Sequence, residues 1–184
     1  VSDLNNKEFK RIIDRLYYLK DRNIIKKIGV SIYDCEDLDV VKEIISPDVI
    51  QLPFNIYDQR FLDDRNVSEL RASGCEIHVR SVFLQGLLLI PPDKLPKSFS
   101  HILNSHKSLY KYSEISGLSI YESCLSWALS QDWIDKIVVG INTLDQLKEL
   151  LISVKTIESN DKSIVNFDSY AVEDCKVIDP RCWI

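Results

Sequence analysis

The sequence predicts an α/β protein with four parallel strands. Three observations predict it: short β-branched runs recur along the chain, amphipathic helical segments alternate with them, and stop signals such as Ser46-Pro47 and Gly74 close several of those segments. Such alternation means parallel sheet covered by helices, because two neighbouring parallel strands need a helix-length crossover between them. Periodicity leaves open whether the sheet is an open doubly wound one or part of a closed barrel.

The elements follow in order. Phe9, Ile12, Ile13, Leu16 and Tyr17 recur at helical spacing and predict a helix from about Lys7 to Asp21, with Asp3 or Asn5 as its cap. Ile28-Gly29-Val30-Ser31-Ile32 reads as a buried strand. Asp34 starts a second helix with Leu38, Val41, Ile44 and Ile45 inward, ended by Ser46-Pro47. Val49 to Leu52 is the second strand, Phe61 to Ala72 a helix closed by Gly74, and Cys75 to Phe83 the third strand. A long segment follows, with a helix from about Ser98 to Ser116. Ser119 and Glu122 are spaced as a capping box, opening a helix with Cys124, Leu125, Ala128 and Leu129 on one face. Ile137 to Gly140 is the fourth strand. Thr143 and Gln146 form a second capping box, and Leu147, Leu150, Leu151 and Val154 carry the helix behind it. The organisation is therefore a body over residues 1–157 and a tail over 158–184, whose Phe167, Tyr170 and Trp183 are costly to leave in water.

Composition excludes several function classes. A net charge of −5 and a pI near 5.2, with no basic cluster, argue against a nucleic-acid partner. No run approaches the roughly 18 apolar residues of a membrane helix, and no signal-peptide pattern opens the chain. Cys35, Cys75, Cys124, Cys175 and Cys182 are odd in number, scattered and without a CxxC pair, so neither a disulfide framework nor a metal site is expected. A cytoplasmic location follows as the expectation. No GxGxxG and no GxxxxGK[ST] occurs. His78, His101 and His106 are expected in surface or packing roles, as are Tyr17 and Tyr18. The 184 residues fall short of the roughly 250 of a complete (β/α)8 barrel. With Val1 first and Met absent throughout, the expectation is a piece of a longer chain.

Four segments, in order, resemble the aldo/keto reductase family. Lys27-Ile28-Gly29-Val30-Ser31 is similar to its fifth strand, and Val49-Ile50-Gln51-Leu52-Pro53-Phe54-Asn55 to its sixth. Val79-Arg80-Ser81-Val82-Phe83-Leu84-Gln85-Gly86-Leu87-Leu88 resembles the seventh. Leu125-Ser126-Trp127-Ala128-Leu129-Ser130-Gln131, followed by Ile137-Val138-Val139-Gly140 and Gln146-Leu147, resembles the last helix–strand–helix passage. Asp179-Pro180-Arg181-Cys182-Trp183 also resembles members found with bacterial surface-sugar enzymes.

The resemblance implies four consecutive βα units forming a parallel half-barrel, the second half of a TIM (β/α)8 barrel. It implies NADPH as cofactor. It also implies that the family's catalytic Asp, Tyr, Lys and His, which lie on the first half, have no counterpart here, so no catalytic residue is assigned. By position, Ser31 and Gln51 would meet the nicotinamide carboxamide, Arg80 stands where an aromatic side chain stacks on the ring, and Ser81 and Gly140 match. Asn142 stands where a basic side chain often meets the 2′-phosphate, and Gln146 matches near the adenosine end. Ile32 replaces the carboxamide-binding Asn, and Leu150 a usual Asn. The expected partner is a second copy or a missing N-terminal half, covering strand edges and an apolar inner face. Three functions follow: part of a reductase, inactive as it stands; a non-enzymatic half-barrel that self-associates; or a degenerate binder of nucleotide sugars.

Overall fold

A computed structural model describes residues 7–62, 64–159 and 166–183. The chain divides into two compact units: Val1–Pro53 with Arg60–Val79 and Trp133–Lys136, and Phe54–Gln59 with Arg80–Asp132 and Ile137–Ile184. No helix among the described residues is long and apolar enough to cross a membrane.

The first unit holds the sheet. Its strands are β1 (Gly29–Ser31), β2 (Val49–Pro53), β3 (Glu76–Arg80) and β4 (Lys136–Ile137), the last two ending one residue into the second unit. They lie side by side in sequence order, β1-β2-β3-β4, as a parallel sheet, with Gly29, Val30 and Ser31 opposite Val49, Ile50 and Gln51. A doubly wound sheet reverses its strand order at a switch point, whereas a barrel adds each strand beside the last. The unbroken order is therefore that of a barrel segment. Gly29 is required by the pairing itself, since a Cβ there would stand 2.5 Å from the Val49 carbonyl oxygen.

The helices of this unit are α1 (Lys7–Asp21), α2 (Glu36–Ile44) and α3 (Arg65–Ala72). The α1 bounds agree with the sequence periodicity; its expected caps, Asp3 and Asn5, lie outside the described residues. α3 begins later than expected because the Asp64 carboxylate accepts from Asn66 N and Val67 N and so sets the first turn. Burial alternates along the strands. Ile50, Leu52, Ile77 and Val79 are buried, together with Leu38 and Val41 of α2 and Val67 and Leu70 of α3.

The other face of the sheet overturns the expected apolar lining. It carries Gly29, Ser31, Val49, Gln51, Glu76 and His78, all exposed or half-buried. Glu76 forms an ion pair with Lys27, and lies 3.2 Å from His78 Nε2 and 3.8 Å from Lys136 Nζ. Barrel interiors are normally filled by branched apolar side chains.

The second unit holds α4 (Leu103–Ser116), preceded by a 3₁₀ turn over Lys97–Ile102, then α5 (Ile120–Leu129), α6 (Leu144–Ser159) and the short α7 (Cys175–Ile178). The Ser119 and Glu122 capping box is formed, and α5 buries Cys124, Leu125, Trp127 and Ala128. Leu129, expected inward, is 46% exposed. Phe167 of the tail is fully buried, in edge contact with Trp127 and Tyr112.

Three sequence expectations fail here for identifiable reasons. The third strand stops at Arg80 because Ser81 takes φ +63°, which no strand continues through. The fourth strand shrinks to Lys136–Ile137 because, last in the sheet, it has a ladder partner on one side only. α6 does not bury the face that Leu147 and Leu151 define: they are 38% and 54% exposed, Leu144 and Ile152 65% and 64%, and Ser153 is its buried residue.

Candidate functional site

The seven candidate residues fall into two groups, one in each unit. In the first unit, β1 and β2 are in a register that sets Ser31 opposite Gln51 on the open face. The Ser31 hydroxyl donates to Gln51 Oε1 at 3.1 Å. Beside them Ile32 donates its backbone N–H to Gln51 O at 2.9 Å, while its side chain is buried on the other face. A strand's period of two makes this unavoidable: the residue after Ser31 cannot share its face.

In the second unit, Arg80 and Ser81 introduce a run of backbone strain. Ser81, Leu84 and Gln85 all have positive φ, at 63°, 47° and 53°. Left-handed conformations in ordinary residues persist only where the surroundings enforce them. Asn55 does so here. Its side chain is buried, Nδ2 donates to Ser81 O at 3.1 Å, and Oδ1 accepts from Tyr57 N at 2.9 Å and Asp58 N at 3.0 Å. Leu84 N also donates to Ser81 O, at 2.8 Å. Asn55 is thus a positioning residue for the Ser81 turn that sequence reasoning passed over, though Asn two residues before a Tyr-Asp pair is an Asx-turn signal.

Gly140, Asn142 and Gln146 lie before and within α6. Asn142 N donates to Gln146 Oε1 at 2.8 Å, Thr143 N donates to the same oxygen at 3.3 Å, and Gln146 N donates to Thr143 Oγ1 at 3.2 Å. The expected capping box exists, and it engages N–H groups that an anion at this helix start would take. Lys148, one turn in, is 3.4 Å from Asp145. The start of α6 is thus capped by its own side chains.

Tyrosine and histidine chemistry points elsewhere. Burial raises the Tyr57 and Tyr121 hydroxyls and pushes Tyr110 up to about 12. That is opposite to what a proton-donating tyrosine needs. The Tyr17 hydroxyl accepts from Ser46 N at 3.2 Å and the Tyr18 hydroxyl from Arg22 at 2.8 Å. His106 is buried, its Nε2 2.7 Å from Ile90 O and its Nδ1 2.7 Å from the Tyr57 hydroxyl. His101 pairs with Asp174 at 3.2 Å.

Two clefts open in the first unit. One, of about 500 Å³, is lined by Arg71, Cys75, Trp133 and Asp135 among others; the second, of about 550 Å³, by Tyr17, Lys20, Asp48 and Ser73. Both lie at the N-terminal ends of the strands, the end that stabilises such folds, and neither includes any of the seven candidates.

A model of the aldo/keto reductase family matches residues 5–171. Among solved structures, the holo form of the aldo-keto reductase AKR11C1 from Bacillus halodurans superposes with a TM-score of 0.62 at 20% identity, over 76% of this chain and 46% of that one. The thermostable aldo-keto reductase Tm1743, solved with the inhibitor epalrestat, gives 0.63 at 19% identity over 90% and 56%. The glycerol dehydrogenase AKR11B4 from Gluconobacter oxydans gives 0.50 at 19% identity over 80% and 54%. The chain thus spans about half the length of the solved reductases it matches. No curated protein matches it.

Proposed function

The chain belongs to the aldo/keto reductase family, and from that premise we propose that it is the coenzyme-holding second half of a reductase barrel. The observation that carries this is the register pair Ser31 and Gln51 on a polar, open sheet face. Two neighbouring strands present one hydroxyl and one amide side by side, the donor and acceptor set that a carboxamide needs. In a nicotinamide coenzyme this group fixes the ring whose C4 carries the hydride; the chemistry belongs to the coenzyme and its orientation to the protein. By position in the sequence, Ser81, held by Asn55, and the half-buried Arg80 stand at the family's ring-end positions, and Gly140, Asn142 and Gln146 at its adenosine-end positions.

A half of this kind is inactive as it stands. Carbonyl reduction needs a proton donor of matched pKa beside the hydride acceptor, and the tyrosines with resolved shifts are raised, not lowered. The complementary partner is an N-terminal half, which would bring that donor and cover the exposed stripe Leu144, Leu147, Leu151 and Ile152 of α6. A cytoplasmic location suits the five cysteines, all free thiols.

Fluorescence titration of the chain with NADPH and with NADH tests the coenzyme assignment. Saturable binding, weakened about tenfold in Ser31→Ala and Gln51→Ala, is expected. Absence of binding to both coenzymes at millimolar concentration would sink it. Mixing with a separately produced N-terminal half should restore carbonyl reduction.

A further inference from the structure

The two clefts of the first unit differ in what their walls leave unused. Around the second, the charges are already matched: Lys20 holds Asp48 at 2.6 Å, Lys42 is paired with Glu69, and the Tyr17 hydroxyl accepts from Ser46 N. The first, of about 500 Å³, falls within the roughly 300–1,000 Å³ of small-ligand sites. It is bordered by Ser68 and Arg71 of α3, Gly74 and Cys75 of the turn into β3, and Trp133 and Asp135 of the passage into β4.

Each part of this wall carries a different chemistry. Gly74, just past α3, has φ +90°, and a Cβ there would meet no atom within 4 Å, so the turn leaves the space open. Cys75 is buried, and burial pushes its thiol up to about 11, which makes it an apolar wall and not a nucleophile at neutral pH. Arg71 is exposed and has no ion-pair partner among the described residues. Its place in the last turn of α3 suits a cation, yet that occupies none of the guanidinium N–H donors. Strand pairing fixes Asp135. Its N–H donates to Ile77 O at 2.9 Å and its Oδ2 accepts from Ile77 N at 2.7 Å, while Oδ1 accepts no hydrogen bond among the described residues. Trp133, two residues earlier, is half-buried and brings an indole to the same cavity.

A guanidinium takes a carboxylate through paired N–H bonds. A carboxylate oxygen takes an ammonium, and an indole takes a flat ring by offset or edge contact. One class of small molecule carries all three counterparts. A phosphate dianion fits poorly: among the described residues Arg71 is the one cation on the wall, it stands against the Asp135 carboxylate, and Glu76 is already held by Lys27. We propose that this cavity binds a free aromatic amino acid, with Arg71 on its carboxylate, Asp135 on its ammonium and Trp133 against its ring. The cavity shares no residue with the coenzyme candidates, so it is a second ligand site that stands whether or not a coenzyme is held.

Isothermal titration of the full chain with L-phenylalanine and with L-tryptophan tests this, alongside three probes that each lack one group. 3-Phenylpropionate has no ammonium, phenethylamine no carboxylate and L-alanine no ring. At least one of the two amino acids should bind saturably at one site, and each truncated probe about tenfold more weakly. Arg71→Ala should weaken the amino acid and 3-phenylpropionate about tenfold and leave phenethylamine unchanged, and Asp135→Asn should do the converse. Arg71 is exposed, so Arg71→Ala should keep the wild-type Tm, and its result stands even where Asp135→Asn loosens the β3–β4 pairing. L-Phenylalanine should also shift the tryptophan emission of the wild type and not that of Trp133→Phe. The proposal is overturned by the absence of saturable binding of either amino acid at millimolar concentration, by equal binding of all the probes, or by Arg71→Ala binding as the wild type does.

Discussion

Removing one hydroxyl from the second unit should cost more than a typical surface change, and Tyr57→Phe is the substitution that does it. Tyr57 is fully buried, and its hydroxyl lies 2.7 Å from His106 Nδ1. His106 Nε2 faces Ile90 O at 2.7 Å, so Nε2 carries the proton and Nδ1 accepts from the tyrosine. Without the hydroxyl the imidazole keeps a buried acceptor with no donor. The lost hydrogen bond and the stranded nitrogen together cost about 1–3 kcal/mol. For a chain of this length that is a fall in Tm of roughly 3–10 °C, read by circular dichroism on heating. Burial also holds His106 below its ordinary pKa. A group depressed this way in the folded state contributes stability that is complete above the unfolded value, near 6.5, and is lost as pH falls through it, because the unfolded chain then binds a proton that the folded one refuses. Wild-type stability should therefore decline from about pH 7.5 to 5, and His106→Gln should flatten that decline. The reasoning is refuted if Tyr57→Phe stays within about 0.5 kcal/mol of wild type, or if His106→Gln keeps the full slope.

Gly29→Ala drives a methyl group to 2.5 Å from the Val49 carbonyl oxygen, a backbone atom that cannot yield without parting β1 from β2. Soluble yield should collapse, or Tm should drop by more than for any other exposed alanine substitution. The Asp48 carboxylate accepts both contacts of Lys20, at 2.6 and 2.7 Å, and Ile28 N at 2.8 Å, and the lysine holds its carboxyl below the usual range. Its stability contribution is present above the unfolded value near 3.9 and is lost as pH falls through the folded one; Asp48→Asn should cost about 1–2 kcal/mol at neutral pH and make the acid limb shallower in urea titrations. Leu147→Glu with Leu151→Glu should leave Tm unchanged in the isolated chain, since both are substantially exposed, and should abolish assembly with an N-terminal half in size-exclusion runs.

What could be read from the sequence was whatever neighbours in the chain decide. α1 falls between Lys7 and Asp21, and both capping boxes form, because a helix start is settled within four residues. Ser31 and Gln51 were named from the family resemblance, and the register that sets them opposite each other is a property of the sheet and not of either strand alone. The failures are tertiary. The turn at Ser81 is held from a distance as well as by Leu84 N: Asn55, twenty-six residues earlier, donates Nδ2 to the Ser81 carbonyl. Helical periodicity does not say whether Leu147 and Leu151 have anything to lie against. Glu76 and His78 alternate with Ile77 and Val79 as any half-exposed strand would, and the pattern is silent on whether the polar side faces solvent or the middle of a barrel.

The two uncovered surfaces make different demands, and magnitudes separate their occupants. The open face of the sheet, with Ser31, Gln51, Glu76 and His78, needs water or a polar ligand and gives a second sheet nothing to pack against. The α6 stripe is apolar. Leu144, Leu147, Leu151 and Ile152 are 38–65% exposed, so covering them removes about half of each side chain from water. At about 1 kcal/mol for each half-buried aliphatic side chain, the gain is roughly 4 kcal/mol. Association of two free bodies costs an estimated 4–15 kcal/mol in lost translation and rotation alone. A second copy held by this stripe would therefore dissociate at micromolar concentration. A complementary half tethered in the same polypeptide avoids most of that cost and adds ladder hydrogen bonds along the free edges of β1 and β4. Ultracentrifugation of this chain tests the estimate: a monomer of 21.3 kDa agrees with it, and a stable dimer means that edge pairing between copies supplies what the stripe lacks.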